Sequence, residues 1–396
     1  MKGTKKNKIV REKGITLIAL VITIVILIIL ATVTLNVVLG EGGLIQRAQE
    51  GKRLTDQAQK DEQDELKGAE EFINGVLAGT TNPPAEVPET VTEGKESGTP
   101  FEDTTTITDD LDNPVTVPGG FNIAEDSGTK VEEGIVIEDS NNNQFVWIPV
   151  GEYNVSTTIN STGKLTNNLS RRTFTSSGAT EIEGVDTVIK NYYYAEDTTL
   201  YTSVAKNTIG AFKTSSTTNK GFYIGRYEAG TETERTASNN PLTIPLVQAN
   251  KYPYIWITRD EAKQQAEAMY SGNEFVTSQL ISSYAWDTAL NFICQTNSAG
   301  YTLATTLNKT YGNIGTYTRT KTGEYEADNY SNIHDLLGNC YELTTEYSSY
   351  DDLPCVLRGG NYGSSYEYAA ARYNNNASSA NFNNSFRLQL YINPEN

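Results

Sequence analysis

The stretch of this chain best equipped for chemistry is its end. Between Arg358 and Arg387, residues 361 to 385 hold seven Asn, five Ser, five Ala and four Tyr, so four residue types fill 21 of 25 positions. Tyr brings a broad amphipathic ring with few rotors, and Asn and Ser bring adaptable donors and acceptors. That is the composition of a recognition surface. Buried in a core, each Asn amide would need its own partners, so the stretch suits a surface better than an interior. The side chains expected to meet a ligand are Asn361, Tyr362, Ser364, Ser365, Tyr366, Tyr368, Tyr373, Asn374, Asn376, Ser378 and Asn381. Catalysis has less to work with. His334 is the only histidine, so a Ser/His or Cys/His nucleophile system would have to run through it. Cys294, Cys340 and Cys355 are odd in number and make no disulfide framework, although a Cys340–Cys355 bridge stays open. The expectation is a binding protein and not an enzyme.

Charge narrows the partners. The 396 residues carry a net −18, and the first fourteen hold six basic side chains against Glu12, which leaves −23 on the remainder. So acidic a surface repels phosphate backbones, which argues against nucleic acid and makes calcium the more natural small partner.

The elements that must present the terminal segment begin far upstream. After the basic leader of residues 1–14 comes an apolar run, residues 15–40, uncharged from Ile15 to Leu39 and long enough for a helix to cross a bilayer. The basic flank places the leader in the cytoplasm and the rest outside. Residues 41–77 have the sparse apolar pattern of an exposed amphipathic stalk helix. Residues 78–118, rich in Pro, Thr, Gly and acids, read as a disordered linker. From residue 119 the texture becomes that of short strands. Val131 to Tyr153 reads as two strands around an Asn-rich turn, and Gly221 to Gly230 as another strand. Thr258 to Ser271 reads as a helix with Thr258 as N-cap and Glu261 completing a capping box. Ser278 to Thr296 reads as a second helix, whereas 154–220 and 297–330 read as long polar loops. Two helices among many short strands predict a mixed α+β domain over 119–396.

Two resemblances add to this. The leader ending Lys13-Gly14, followed directly by Ile15-Thr16-Leu17 and the apolar helix, resembles a type IV prepilin signal. It implies cleavage between Gly14 and Ile15 by a prepilin peptidase, with other pilin subunits as possible neighbours. Ala19 departs from that family's Glu at the fifth mature position, which weakens the expectation of filament assembly. Further on, FVWIPVGEY, GFYIGRYEAG, PYIWITRDEA, HDLLGNCYELTTE, VLRGGNY and SFRL occur in the order of formylglycine-generating enzymes, also called sulfatase-modifying factors. That family implies a variant of the C-type lectin fold. It also implies a calcium loop with Asp335 and Glu342 as side-chain ligands and the carbonyls of Gly338 and Cys340 as backbone ligands. Its catalytic copper needs two cysteines after the RGG motif, and residues 361–372 contain none, so no copper is expected.

The same terminal motif resembles that of variable proteins from diversity-generating retroelements. In those proteins adenine-rich Asn codons are the template state, and Tyr, Ser, Asp and Ala are frequent outcomes. On that likeness residues 358–388 form a variable region, with Arg358, Gly359, Gly360, Phe386 and Arg387 as fixed frame. The sequence therefore predicts a pilin-like membrane anchor, a tether and a lectin-fold domain at the cell surface or on a pilus. That domain would offer a Tyr/Asn/Ser face to an extracellular protein or glycan. A structural minor pilin, or an enzyme of altered chemistry on the same frame, are the alternatives.

Overall fold

The run from Phe145 to Val150 has no polar face to offer water, and it lies inside a sheet. The computed structural model describes residues 87–182, 202–348, 352–363 and 368–394, together with Lys52. The leader, the Gly14–Ile15 junction, the apolar run and nearly all of the stalk lie outside the described residues. Among the described residues no helix is long and apolar enough to cross a membrane.

The result is an α+β unit over residues 87–396, mostly sheet with few helices. Ten strands make its two larger sheets: β1 (Phe121–Ile123), β2 (Val136–Asp139), β3 (Gln144–Pro149), β4 (Gly221–Gly225), β5 (Val276–Leu280), β6 (Tyr341–Tyr347), β7 (Cys355–Arg358), β8 (Tyr373–Asn375), β9 (Asn384–Phe386) and β10 (Leu388–Ile392). Six are ordered β5-β10-β4-β3-β2-β1, and four are ordered β8-β7-β6-β9. All neighbours run antiparallel except β6 and β9. The β3–β4 register sets Trp147 opposite Tyr223, whose ring centroids are 5.0 Å apart, and both are fully buried. Strands buried on both faces are nearly continuous apolar runs, which is why β3 and β4 are legible in the sequence.

The Asn-rich turn between β2 and β3 is organised by Asp139, whose Oδ1 accepts the amides of Asn141 and Asn143 at 2.9 and 2.8 Å. The Arg259–Ala268 helix starts at Thr258 with the expected capping box to Glu261. The second expected helix is shorter than the sequence suggests. Val276–Leu280 is strand β5 and the helix runs Ser283–Thr296, because Ser282 caps it by accepting the Ala285 amide.

Two expectations need correction. Residues 87–118 are not a disordered linker. Val91–Ser97 is a helix with a Thr90/Glu93 capping box, and Thr105–Thr108 pairs with Pro114–Val117. Val91, Phe101, Ile107, Val115 and Val117 are buried in the common core. Bulk composition hid this, because the apolar residues come singly and polar side chains build the turns. Asp109, for example, accepts amides from Leu111, Asn113 and Val131 at 2.7–2.8 Å. Residues 78–86 lie outside the described residues. Likewise, 154–220 is not one long loop. Gly151–Asn154 pairs with Lys164–Asn167, Arg171–Thr175 pairs with Gly178–Ile182, and Thr202–Thr218 is a helix.

Candidate functional site

The terminal segment hangs from two buried ionic clamps. At its start, Arg358 on β7 reaches Asp287 Oδ1 of the Ser283–Thr296 helix at 2.6 Å and Glu346 Oε2 of β6 at 3.3 Å. Arg372, just before β8, reaches Asp287 Oδ2 at 2.5 Å and Glu346 Oε1 at 2.6 Å. Two guanidiniums and two carboxylates thus close a neutral ring, and none of the four is more than 7% exposed. Burial opposes the Asp287 charge, yet Arg358 and Arg372 outweigh it and hold the carboxyl below its ordinary value. Burial also opposes the Arg372 charge, and there Asp287 and Glu346 prevail and raise it. Arg358 is lowered by burial and by Arg372, with both carboxylates opposing. At the far end, Arg387 meets Glu342 through Nη2 at 2.6 Å and donates to the carbonyls of Gly225 and His334 at 2.7 and 2.8 Å.

Between Arg358 and the segment the backbone turns through Gly359 and Gly360, at φ +91° and +71°. A Cβ on Gly359 would stand 3.2 Å from Trp286 and 3.3 Å from the Leu336 carbonyl. Positive φ at both positions, with crowding at Gly359, accounts for the glycine pair.

On this frame the expected contact residues divide. Tyr373 is 47% exposed, and its ring stacks at 5.6 Å on Tyr341 beneath it. Asn376 and Ser378 are exposed too. Asn376 Oδ1 is used locally, accepting the Ser378 amide at 2.9 Å and its hydroxyl at 2.8 Å. Tyr362, Tyr368, Asn374 and Asn381 are half-buried, and Tyr368 packs against the core. Asn361 is a correction: it is only 5% exposed, and its Oδ1 accepts the Gly363 amide at 2.7 Å. It shapes the turn after Gly360 and is not part of the face. Ser364, Ser365 and Tyr366 lie outside the described residues.

Several residues of the same surface escaped the sequence reading. Phe382 is 49% exposed and sits 6.3 Å from the Trp256 ring. Tyr317 is 72% exposed, and its amide donates to the Tyr362 carbonyl at 2.7 Å. Arg319 donates to the Phe382 carbonyl at 2.7 Å and pairs with Glu234. Arg372 was missed as frame. Its only sequence signal is that it is the lone cation among residues 361–385.

The calcium loop must be tested against its own donors. Asp335 is fully buried, with Oδ2 accepting the Gly323 amide at 2.8 Å and Oδ1 without a partner. Gly338 and Cys340 are buried beside it. Glu342, however, spends both oxygens on Arg387, at 2.6–3.1 Å. Among the described residues no group of three His, Cys, Asp or Glu side chains could hold a metal ion. Of the expected set of Asp335, Gly338, Cys340 and Glu342, only Asp335 keeps an unpartnered side-chain oxygen for calcium while Arg387 engages Glu342. Burial, opposed by Arg387, raises Asp335 to about 6 and Glu342 to about 7. Glu228 and Asp328, also buried, are raised well above the usual carboxylate range, burial again leading.

The other reactive types are enclosed. His334 is buried, stacks on Tyr227 at 4.9 Å, and is lowered to about 4, first by burial and then by Arg226 and Arg387. Cys294, Cys340 and Cys355 are all free thiols and buried, so the Cys340–Cys355 bridge is not formed.

No protein-family model and no curated protein matches the chain. Solved structures to which it is similar include "Crystal Structure of CarF", at 15% identity and TM-score 0.32 over 44% of this chain and 87% of that one. "Treponema denticola variable protein 1" aligns at 14% identity and TM-score 0.32, over 43% of this chain and 84% of that one. "Structure of PvdO from Pseudomonas aeruginosa" aligns at 13% identity and TM-score 0.35, over 65% and 97%. Likenesses this distant carry none of the argument.

Proposed function

We propose that this chain is a ligand-binding protein displayed at the cell surface, with its C-terminal unit as a C-type lectin-like frame for a diversifiable face. The observation that carries the reading is the contrast within one short segment. Arg358, Asn361, Arg372 and Arg387 are locked into the frame, while Tyr373, Asn376, Ser378 and Phe382 face solvent between them. A rigid scaffold that turns aromatic and amide side chains outward is the arrangement of a paratope. The ligand is an extracellular protein or glycan. Binding is preferred to catalysis because the single histidine is enclosed and uncharged near neutrality.

The apolar run after Gly14 supports anchoring in the membrane, and its prepilin-like junction supports processing between Gly14 and Ile15 with possible docking to pilin subunits. Diversification is tested by sequencing the locus in sibling isolates. Codons for Tyr373, Asn376 and Ser378 should differ while those for Arg358, Arg372 and Arg387 stay fixed. Identical codons throughout 361–384 would refute it. Display is tested by adding protease to intact cells, where protection of the C-terminal unit would refute it.

A further inference from the structure

Two bulky residues outside the terminal segment sit in the left-handed region, Trp256 at φ +57° and Tyr317 at φ +61°. L-residues with large side chains avoid that conformation, and where it persists the surroundings enforce it, often at sites of function. Here both residues are tied to the terminal segment, and Trp256 is held through its carbonyl by Arg235 as well. The Trp256 amide donates to the carbonyl of Asn381 at 2.9 Å, and the Tyr317 amide to that of Tyr362 at 2.7 Å. Arg319 fixes the carbonyl of Phe382 in the same manner. Each link is to main chain, so it does not depend on which side chains occupy 362, 381 and 382.

The rings so held are outward. Tyr317 is the most exposed large apolar side chain among the described residues, and Trp256 is partly open beside the half-exposed Phe382. The stretch from Tyr373 to Asn384 has no charged residue in a chain of net −18, and the nearby Arg319 is paired with Glu234. That stretch is thus uncharged as well as aromatic, with the exposed Asp352 at its Asn376 edge. Its exposed amide Asn376 uses its oxygen on Ser378 and its nitrogen on the Asp352 carbonyl, so contact falls chiefly to the exposed rings. Rigid Tyr and Trp rings with few rotors are what protein interfaces use as anchors.

We propose that the ligand face has a fixed aromatic half, Tyr317 and Trp256, pinned by main-chain bonds alongside the changeable half around Tyr373 and Phe382, and that the two together take a folded, uncharged protein surface. This rests on the ligand-binding reading above and goes further by naming a constant contact and a partner class. Because the pins are to backbone, the fixed half keeps its place when the terminal side chains change.

The test uses the full chain in mild detergent on an array of purified extracellular proteins and on a glycan array. Variants are Tyr317→Asn, since Asn tolerates a positive φ, Tyr317→Ala, and Tyr373→Ala, each checked for an unchanged melting curve by tryptophan fluorescence. Expected is binding to at least one protein, weakened about tenfold or more by Tyr317→Asn and by Tyr373→Ala alike. Protein binding lost in Tyr373→Ala but kept within about twofold in both Tyr317 variants would overturn the fixed half and leave the binding function standing. Binding to glycans alone would overturn the partner class while leaving ligand binding intact. Silence on both arrays would overturn the proposal together with the function beneath it.

Discussion

Arg372 lies inside the segment expected to vary, yet the ring it closes with Asp287, Arg358 and Glu346 marks it as indispensable. Replacing it with Met removes one of two cations and leaves two buried carboxylates to share Arg358, a net charge of −1 in a region at most 1% exposed on the acidic side. Breaking a buried pair by deleting one partner costs about 3–5 kcal/mol, most of it the penalty of the stranded charge. Against a total stability of about 5–15 kcal/mol, that removes about a fifth or more of what a typical domain has. The assay is urea unfolding of the full chain in mild detergent. All three tryptophans, Trp147, Trp256 and Trp286, lie in the unit concerned, and Trp286 stacks under Arg358 at 5.4 Å. The double variant Arg372→Met with Glu346→Gln restores neutrality and should lose less than the sum of its two single changes. Ser378→Ala, on the exposed part of the same segment, should stay within about 0.5 kcal/mol. A loss below about 1 kcal/mol for Arg372→Met would refute the reasoning, because the ring would then be incidental to holding the segment.

Three further outcomes follow from the same coordinates. A chain begun at residue 119 should fail to fold, since it lacks Val91, Phe101, Ile107, Val115 and Val117 from the core, while one begun at Val87 should give a cooperative melt; soluble, sharply melting protein from the shorter version would contradict the assignment. A neutral thiol reagent should label none of the three cysteines in the native protein at pH 8, because burial leads in pushing Cys355 up to about 11, Cys294 higher still and Cys340 well above the ordinary thiol value; fast labelling of any one would show that site open. Calcium at about 100 times a site's Kd adds about 2.7 kcal/mol to a folded state that binds it. No such gain is expected for chelator-treated protein while Arg387 holds Glu342, and a clear rise in Tm reversed by chelator would show the clamp yielding to the ion.

What the sequence disclosed depended on how local the physics was. The Thr258/Glu261 capping box and the turn between β2 and β3 are decided within a few residues, and both are where the pattern puts them. Phe145 to Val150 is similarly plain, since an unbroken apolar run has nowhere to go but a sheet interior. The region 87–118 was opaque because its ordering comes from single apolar side chains reaching a distant core, which composition averages away. Arg372 and Tyr317 were opaque for another reason. One takes its role from Asp287 and Glu346, 85 and 26 residues away, and the other from a bond to Tyr362, so neither role leaves a mark on its neighbours. Asn361 was misjudged because composition cannot tell an amide that closes a turn from one that faces outward.

Strand β10 lies between β5 and β4 and pairs antiparallel with both. Both partners are more than a hundred residues away in sequence, and long-range pairing of this kind is slow to form. Without β10 the larger sheet falls into two pieces, since β5 then has no neighbour in it and β4 shows a bare edge. One late docking event therefore protects two strands at once, and until it happens both are open to pairing with another copy.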